Sequence, residues 1–195
     1  MTRMKQIEMN EKKRLKTFSA AQRVMAVVAL LCLLLCGCKK EDWEATRKYS
    51  TKYRVMCGFT VMSYSELMPA VGGFGLFATI RQVGSDIVMK SETGSKPYAM
   101  DALQKDFWFG CGGLIVGTDF NGLLCCFDLA CPNCDQAQYR MTVKGAQATC
   151  EHCGIVYALE YDTYIIDKGN GLHPSPRGLY QYQTRYDGTM IHMYN

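Results

Sequence analysis

The chain has 195 residues, 48% of them hydrophobic and 21% charged, an ordinary globular composition with enough length for one domain around a real core. Its formal charge of +4 divides unevenly, because residues 1–37 hold seven Lys/Arg against two Asp/Glu, while the remainder holds 15 basic and 16 acidic side chains, a net of −1. That remainder lacks the electropositive footprint a polyanion requires, so no nucleic-acid partner is expected.

At the N-terminus, Lys12, Lys13, Arg14, Lys16 and Arg23 precede an unbroken apolar run of 13 residues, Val24 to Cys36. A bilayer-spanning helix needs about 20 residues, so the run fits the apolar core of a signal peptide rather than a membrane span. Leu35-Cys36-Gly37-Cys38 resembles the lipobox of bacterial lipoproteins, which implies a signal peptide over 1–37 and a lipid on Cys38. Several acyl chains would anchor the protein to a membrane without crossing it. Lys40-Glu41-Asp42 is similar to the short charged signals of Gram-negative lipoproteins displayed at the outer membrane, which implies an outer-membrane location, facing the periplasm or the exterior.

Residues 38–52 are polar and read as a lipidated tether, and 53–195 as a single β domain. There the segments are short, rich in Val, Ile, Phe, Tyr and Thr, and punctuated by glycine. Strands are expected at Tyr53–Val61, Gly75–Val83, Asp86–Lys90, Gly113–Asp119 and Leu123–Leu129, and a short helix at Ser63–Ala70. Further strands are expected at Tyr139–Val143, Ile155–Glu160, Tyr164–Ile166, Gly178–Tyr186 and Thr189–Tyr194. Asn121-Gly122 and Asp187-Gly188 suit two-residue hairpin turns with positive φ, joining Ile115–Phe127 and Tyr180–Tyr194. Lys168-Gly169-Asn170-Gly171 and Pro174-Ser175-Pro176 mark a loop.

Eight of the 11 cysteines lie beyond Cys38, and the most specific feature of the chain is the array Cys131-Pro-Asn-Cys134, 15 residues, then Cys150-Glu-His-Cys153-Gly154. Two sulfurs three positions apart in a tight turn can face one ion, while N–H groups of the same turn stabilise the thiolates. Two such turns complete a tetrahedral metal site made of Cys131, Cys134, Cys150 and Cys153. Disulfides are the alternative, since an exported chain meets an oxidising compartment. Cys125 and Cys126 adjoin in one strand, so they face opposite ways and cannot both serve one site. Cys57 and Cys111 read as buried thiols. His152 reads as a solvent-facing or supporting imidazole, because four sulfurs already fill the shell.

The run from Gly113 through Asn121-Gly122 to Cys131-Pro132, followed by Cys150-Glu-His-Cys153-Gly154 and a Gly/Pro loop at 169–178, resembles a Rieske-type domain over residues 110–195. The resemblance implies an all-β fold, a small Rieske-like or rubredoxin-like β-sandwich or partial barrel with metal-binding loops. Cys131 and Cys150 match that family's cysteines, whereas Asn133 and Cys153 stand where its two histidine ligands are found. Asn is no substitute for imidazole there, and Cys134 supplies the fourth ligand of an all-cysteine set. Such a set suits zinc, a single iron or an all-cysteine [2Fe–2S] cluster.

The resulting expectation is a membrane-anchored envelope lipoprotein with one metal centre in a structural or binding role, with iron–sulfur electron transfer as the alternative. Catalytic residues are not expected: GxSxG, HExxH and phosphate-cradling motifs are missing, and His173 and His192 read as isolated. Neither a redox or envelope partner nor an oligomeric state is specified by the sequence.

Overall fold

In the computed structural model, residues 51–195 are described. The expected signal peptide, the expected lipidation site Cys38 and the expected tether up to residue 50 lie outside them. The domain is all-β, built from a nine-stranded antiparallel sheet and a four-stranded one. No helix among the described residues is long and apolar enough to cross a membrane.

The first strands of the large sheet are β1 (Val55–Thr60), β2 (Leu76–Val83), β3 (Asp86–Ser91), β4 (Gly94–Ala99) and β5 (Trp108–Phe109). They are joined by β6 (Leu114–Thr118), β7 (Leu124–Asp128), β12 (Gln181–Tyr186) and β13 (Met190–Tyr194). Their spatial order is β4-β3-β2-β6-β7-β12-β13-β1-β5. The small sheet orders β11 (Ile165–Asp167), β10 (Val156–Ala158), β9 (Gln147–Cys150) and β8 (Met141–Lys144). One short helix, α1 (Leu67–Gly72), begins later than the sequence suggests and buries Leu67 and Ala70.

Two cores follow from the alternation of side chains along β2, β6 and β7. Val55, Phe59, Ala78, Ile80, Leu114, Val116, Cys126 and Ile191 join Leu67 and Ala70 in one core, which the curled sheet encloses. The alternate residues Phe77, Ile115, Cys125 and Phe127 form the second core, against Met141, Ala148 and Tyr157 of the small sheet and Ile155 just before β10. Strand β6 is therefore buried at all five positions, the continuous apolar pattern of a strand covered on both faces. Cys125 and Cys126 do point opposite ways, one into each core, and burial pushes the Cys125 thiol up to about 12 and that of Cys126 well above its ordinary range. Cys57 is buried as expected, but Cys111 is only half-buried.

Both expected hairpins form, pairing Ile115 with Phe127 and Gln183 with Tyr194. Their turns differ from the two-residue, doubly positive form. The first is a loop of Phe120-Asn121-Gly122 in which only Gly122 has positive φ (82°). The carboxylate of Asp119, itself fully buried, accepts the N–H groups of Asn121 (2.9 Å) and Leu123 (2.8 Å). In the second turn Gly188 (φ 93°) and Thr189 are the central residues, and Asp187 accepts the N–H groups of Thr189 and Met190. Three strands are additional to the sequence reading. Strand β4 contains Pro97, tolerable because β4 is the sheet edge; β5 has only two residues; and β9 pairs with β8 across a turn at Gly145 (φ 56°).

Candidate metal centre

Both cysteine pairs sit on loops at one end of the small sheet. Cys131-Pro-Asn-Cys134 links β7 to β8, and Cys150-Glu-His-Cys153 links β9 to β10. The two loops repeat one backbone design. Cys131 accepts the N–H of Asp135 at its carbonyl (2.9 Å), and Cys150 accepts that of Gly154 in the same way (2.7 Å). The residue after each second cysteine is left-handed, Asp135 at φ 52° and Gly154 at φ 72°. The thiolate sites match as well: the sulfur of Cys131 receives the N–H groups of Asn133 and Cys134, and that of Cys150 those of His152 and Cys153.

The four sulfurs all lie within 4.8 Å of one another. Across the loops, Cys131 Sγ stands 3.7 Å from Cys153 Sγ, and Cys134 Sγ 3.8 Å from Cys150 Sγ. A disulfide requires about 2.05 Å, so these are free thiols. With a Zn–S bond of about 2.3 Å, the edge of a tetrahedron of sulfurs is about 3.8 Å, so the set fits one tetrahedral ion. Cys131, Cys150 and Cys153 are buried and Cys134 is half-buried. Burial acts against the thiolate of Cys150, but its N–H donors and the neighbouring Cys131 thiol hold its pKa below the ordinary range. The other loop is less favourable to charge, since burial pushes Cys131 up to about 12 and also raises Cys134.

Asn133 does not replace a ligand. Its side-chain amide donates to the hydroxyl of Tyr157 and accepts the N–H of Arg177 (2.6 Å), while Tyr157 donates to the carbonyl of Arg177 (2.7 Å). Through these bonds Asn133 fastens the first cysteine loop to the proline-containing segment 174–177. The second loop is fastened too, because Asn170 donates its N–H to the carbonyl of Cys153 (3.0 Å). A Cβ on Gly169 would lie 2.1 Å from that same carbonyl oxygen, so only glycine allows the approach.

Two histidines meet at Cys134. His152 Nδ1 is 3.4 Å from its sulfur and His173 Nε2 is 3.9 Å away. The His152 ring stacks on Tyr139, with centroids 3.9 Å apart and planes at 28°, which fits its expected supporting role. His173 is not isolated: the long loop carries it back to the cysteine loops, a convergence with no local signal in the sequence. Asp135 is likewise held from a distance, by the Tyr53 hydroxyl and by Lys52 Nζ (3.0 Å). The fold therefore already includes Lys52, which the sequence pattern assigns to the tether.

No protein-family model matches the chain, and no curated protein or solved structure is significantly similar to it.

Proposed function

We propose that the chain is a membrane-anchored envelope lipoprotein whose Rieske-like half binds one zinc ion through Cys131, Cys134, Cys150 and Cys153. The ion acts as a non-catalytic clamp that joins the two loops of the small sheet. The observation that carries this reading is the agreement between the cross-loop separations of 3.7 and 3.8 Å and the edge of a zinc–thiolate tetrahedron, about 3.8 Å. Every corner is a protein sulfur, so no position is left for water or substrate. The Rieske-like part of the proposal is supported by two facing metal loops on one small sheet and by a proline-containing segment bonded to them through Asn133 and Asn170. The lipoprotein part rests on the order of charged, apolar and Leu35-Cys36-Gly37-Cys38 segments.

A second reading, electron transfer by iron in the same shell, is favoured by the N–H groups aimed at Cys131 and Cys150 and by the two imidazoles beside Cys134. Hydrogen bonds to the sulfurs are a means of tuning an iron centre's potential. The closeness of all four sulfurs suits a single iron better than a [2Fe–2S] cluster, whose two irons would draw the sulfur pairs apart.

The deciding experiment is elemental analysis and a visible spectrum of the full-length chain, purified anaerobically in detergent without added metal. One zinc per chain and no colour is the expected result. Iron with a visible band that bleaches on reduction would replace the clamp by an electron carrier, and metal-free protein would overturn both.

A further inference from the structure

The second core closes on Phe77, Leu129 and Met141, and beyond them the two sheets diverge around a cavity of about 190 Å³. Side-chain alternation dictates what lines it. The face of β2 that carries Phe77 continues with Thr79 and Arg81. On β3 the register sets Lys90 opposite Thr79 and Val88 opposite Arg81, so Arg81 and Lys90 are diagonal neighbours on one surface. From the other side β8 and the residue before it contribute Met141 and Arg140.

Three cations, Arg81, Lys90 and Arg140, thus share one small cavity with a single acid, Glu92. The Glu92 carboxylate is engaged elsewhere, accepting the N–H of Gly145 (2.7 Å) in the β8–β9 turn. None of the three cations is ion-paired among the described residues, where the ion pairs are Lys52–Asp135, Arg177–Asp135 and His192–Asp187. Arg140 is oriented by the bond from its Nε to the carbonyl of Gly112 (2.9 Å), which leaves its terminal nitrogens for another acceptor. Like charges gathered around a low-dielectric wall repel, and the potential they create is focused into the cleft. The hydroxyls of Thr79 and Ser95 add neutral donors at the same surface, while Phe77 and Met141 provide an apolar floor.

We propose that this cleft is a binding site for a small, multiply charged oxyanion, a phosphate monoester or a dicarboxylate, carried on a short apolar group. Three cations less one carboxylate give a net charge of +2, which a dianion neutralises, and guanidinium groups match the planar edge of carboxylate or phosphate. The apolar floor distinguishes the site from a surface that would take up any anion. The site is independent of the identity of the metal.

The test is isothermal titration of the full-length chain, as purified, with phenyl phosphate, with succinate and with phenol. Saturable 1:1 binding of either anion is expected, with phenol bound at least 10-fold more weakly. Whichever anion binds more tightly identifies the source as phosphate ester or dicarboxylate. Arg81→Gln and Lys90→Gln are each expected to weaken binding about 10-fold, and because both side chains are exposed the variants retain the parent's thermal unfolding profile. The proposal is overturned if neither anion saturates the folded protein, if phenol binds as tightly, or if both Arg81→Gln and Lys90→Gln bind undiminished.

Discussion

Asp135 and Gly154 occupy equivalent places in the two halves of the four-cysteine site: each follows the second cysteine of its loop, and each adopts a left-handed backbone, at φ 52° and 72°. Asp135 is the one non-glycine residue with positive φ among those described. Its side chain explains the tolerance, since Tyr53 and Lys52 hold the carboxylate in place. Gly154 has no such support, and a Cβ there would approach Gly169 Cα to 3.3 Å. Gly154→Ala is expected to cost about 1–2 kcal/mol from the left-handed backbone alone, read as a lower urea midpoint with an unchanged slope. An unchanged midpoint would mean that the second loop is not held in this conformation.

Cys150→Ser removes one of the four sulfurs that lie within 4.8 Å of one another. The expected outcome is loss of the bound ion, from one per chain to none, with destabilisation greater than about 4 kcal/mol, because metal binding energy is partly folding energy. Metal content and thermal unfolding measured together check it. A variant that keeps one ion and the parent's unfolding temperature would remove Cys150 from the ligand set.

Asn133→Ala leaves the Tyr157 hydroxyl and the Arg177 N–H without this partner. Each hydrogen bond lost is worth about 0.5–1.5 kcal/mol, so urea unfolding should register a loss of about 1–2 kcal/mol. Metal content should stay at the parent value, since Asn133 offers no ligand, and loss of the ion in a folded variant would contradict the bonding described.

Asp119 gives the fold a predictable acid response. Burial acts to raise its pKa, but the N–H groups of Leu123, Tyr161 and Asn121 outweigh it and hold the carboxyl below its ordinary range. A depressed folded-state pKa means that the stabilisation is fully present above the unfolded value and is lost as pH falls through the folded one, that is, below about pH 4. Asp119→Asn should therefore be less stable than the parent at pH 7, with the difference narrowing below pH 4. A difference that stays constant down to pH 2 would separate Asp119 from the acid response.

Cys38→Ala tests the anchor. Mass spectrometry should find a lipid on the parent and none on the variant, and the variant should shift from the membrane to the soluble fraction or remain as an uncleaved precursor. An acylated, correctly processed Cys38→Ala protein would refute the lipobox reading.

The all-β class, ten of the strands and the four cysteines that meet were legible because their signals are local: apolar alternation, Asn121-Gly122, Asp187-Gly188 and the two CxxC spacings. Strand β4 was hidden because Ser95-Lys96-Pro97 has poor strand propensity and an exposed edge demands little of its side chains. Strand β9 was hidden because its four residues, only two of them buried, carry a weak pattern, although Gly145 marks its turn. The meeting of His152 and His173 at Cys134 depends on how residues 168–178 return across the small sheet. The cationic cleft depends on where two sheets part. Neither relationship exists until tertiary contacts form.

The attachment of Lys52 and Tyr53 to Asp135 has a mechanical meaning. Tension carried by the chain upstream of residue 51 reaches the folded body at those two side chains, and through them at the residue directly after Cys134, before it acts on β1. Strand β1 itself lies inside the sheet, flanked by β13 and β5, and yields less readily than an edge strand. The first cysteine loop therefore shares the load with Asn195 and Tyr180, which also hold Tyr53, and an ion bound by sulfurs from both loops would brace it. Metal occupancy would then set the force at which the domain starts to unravel from its N-terminal side.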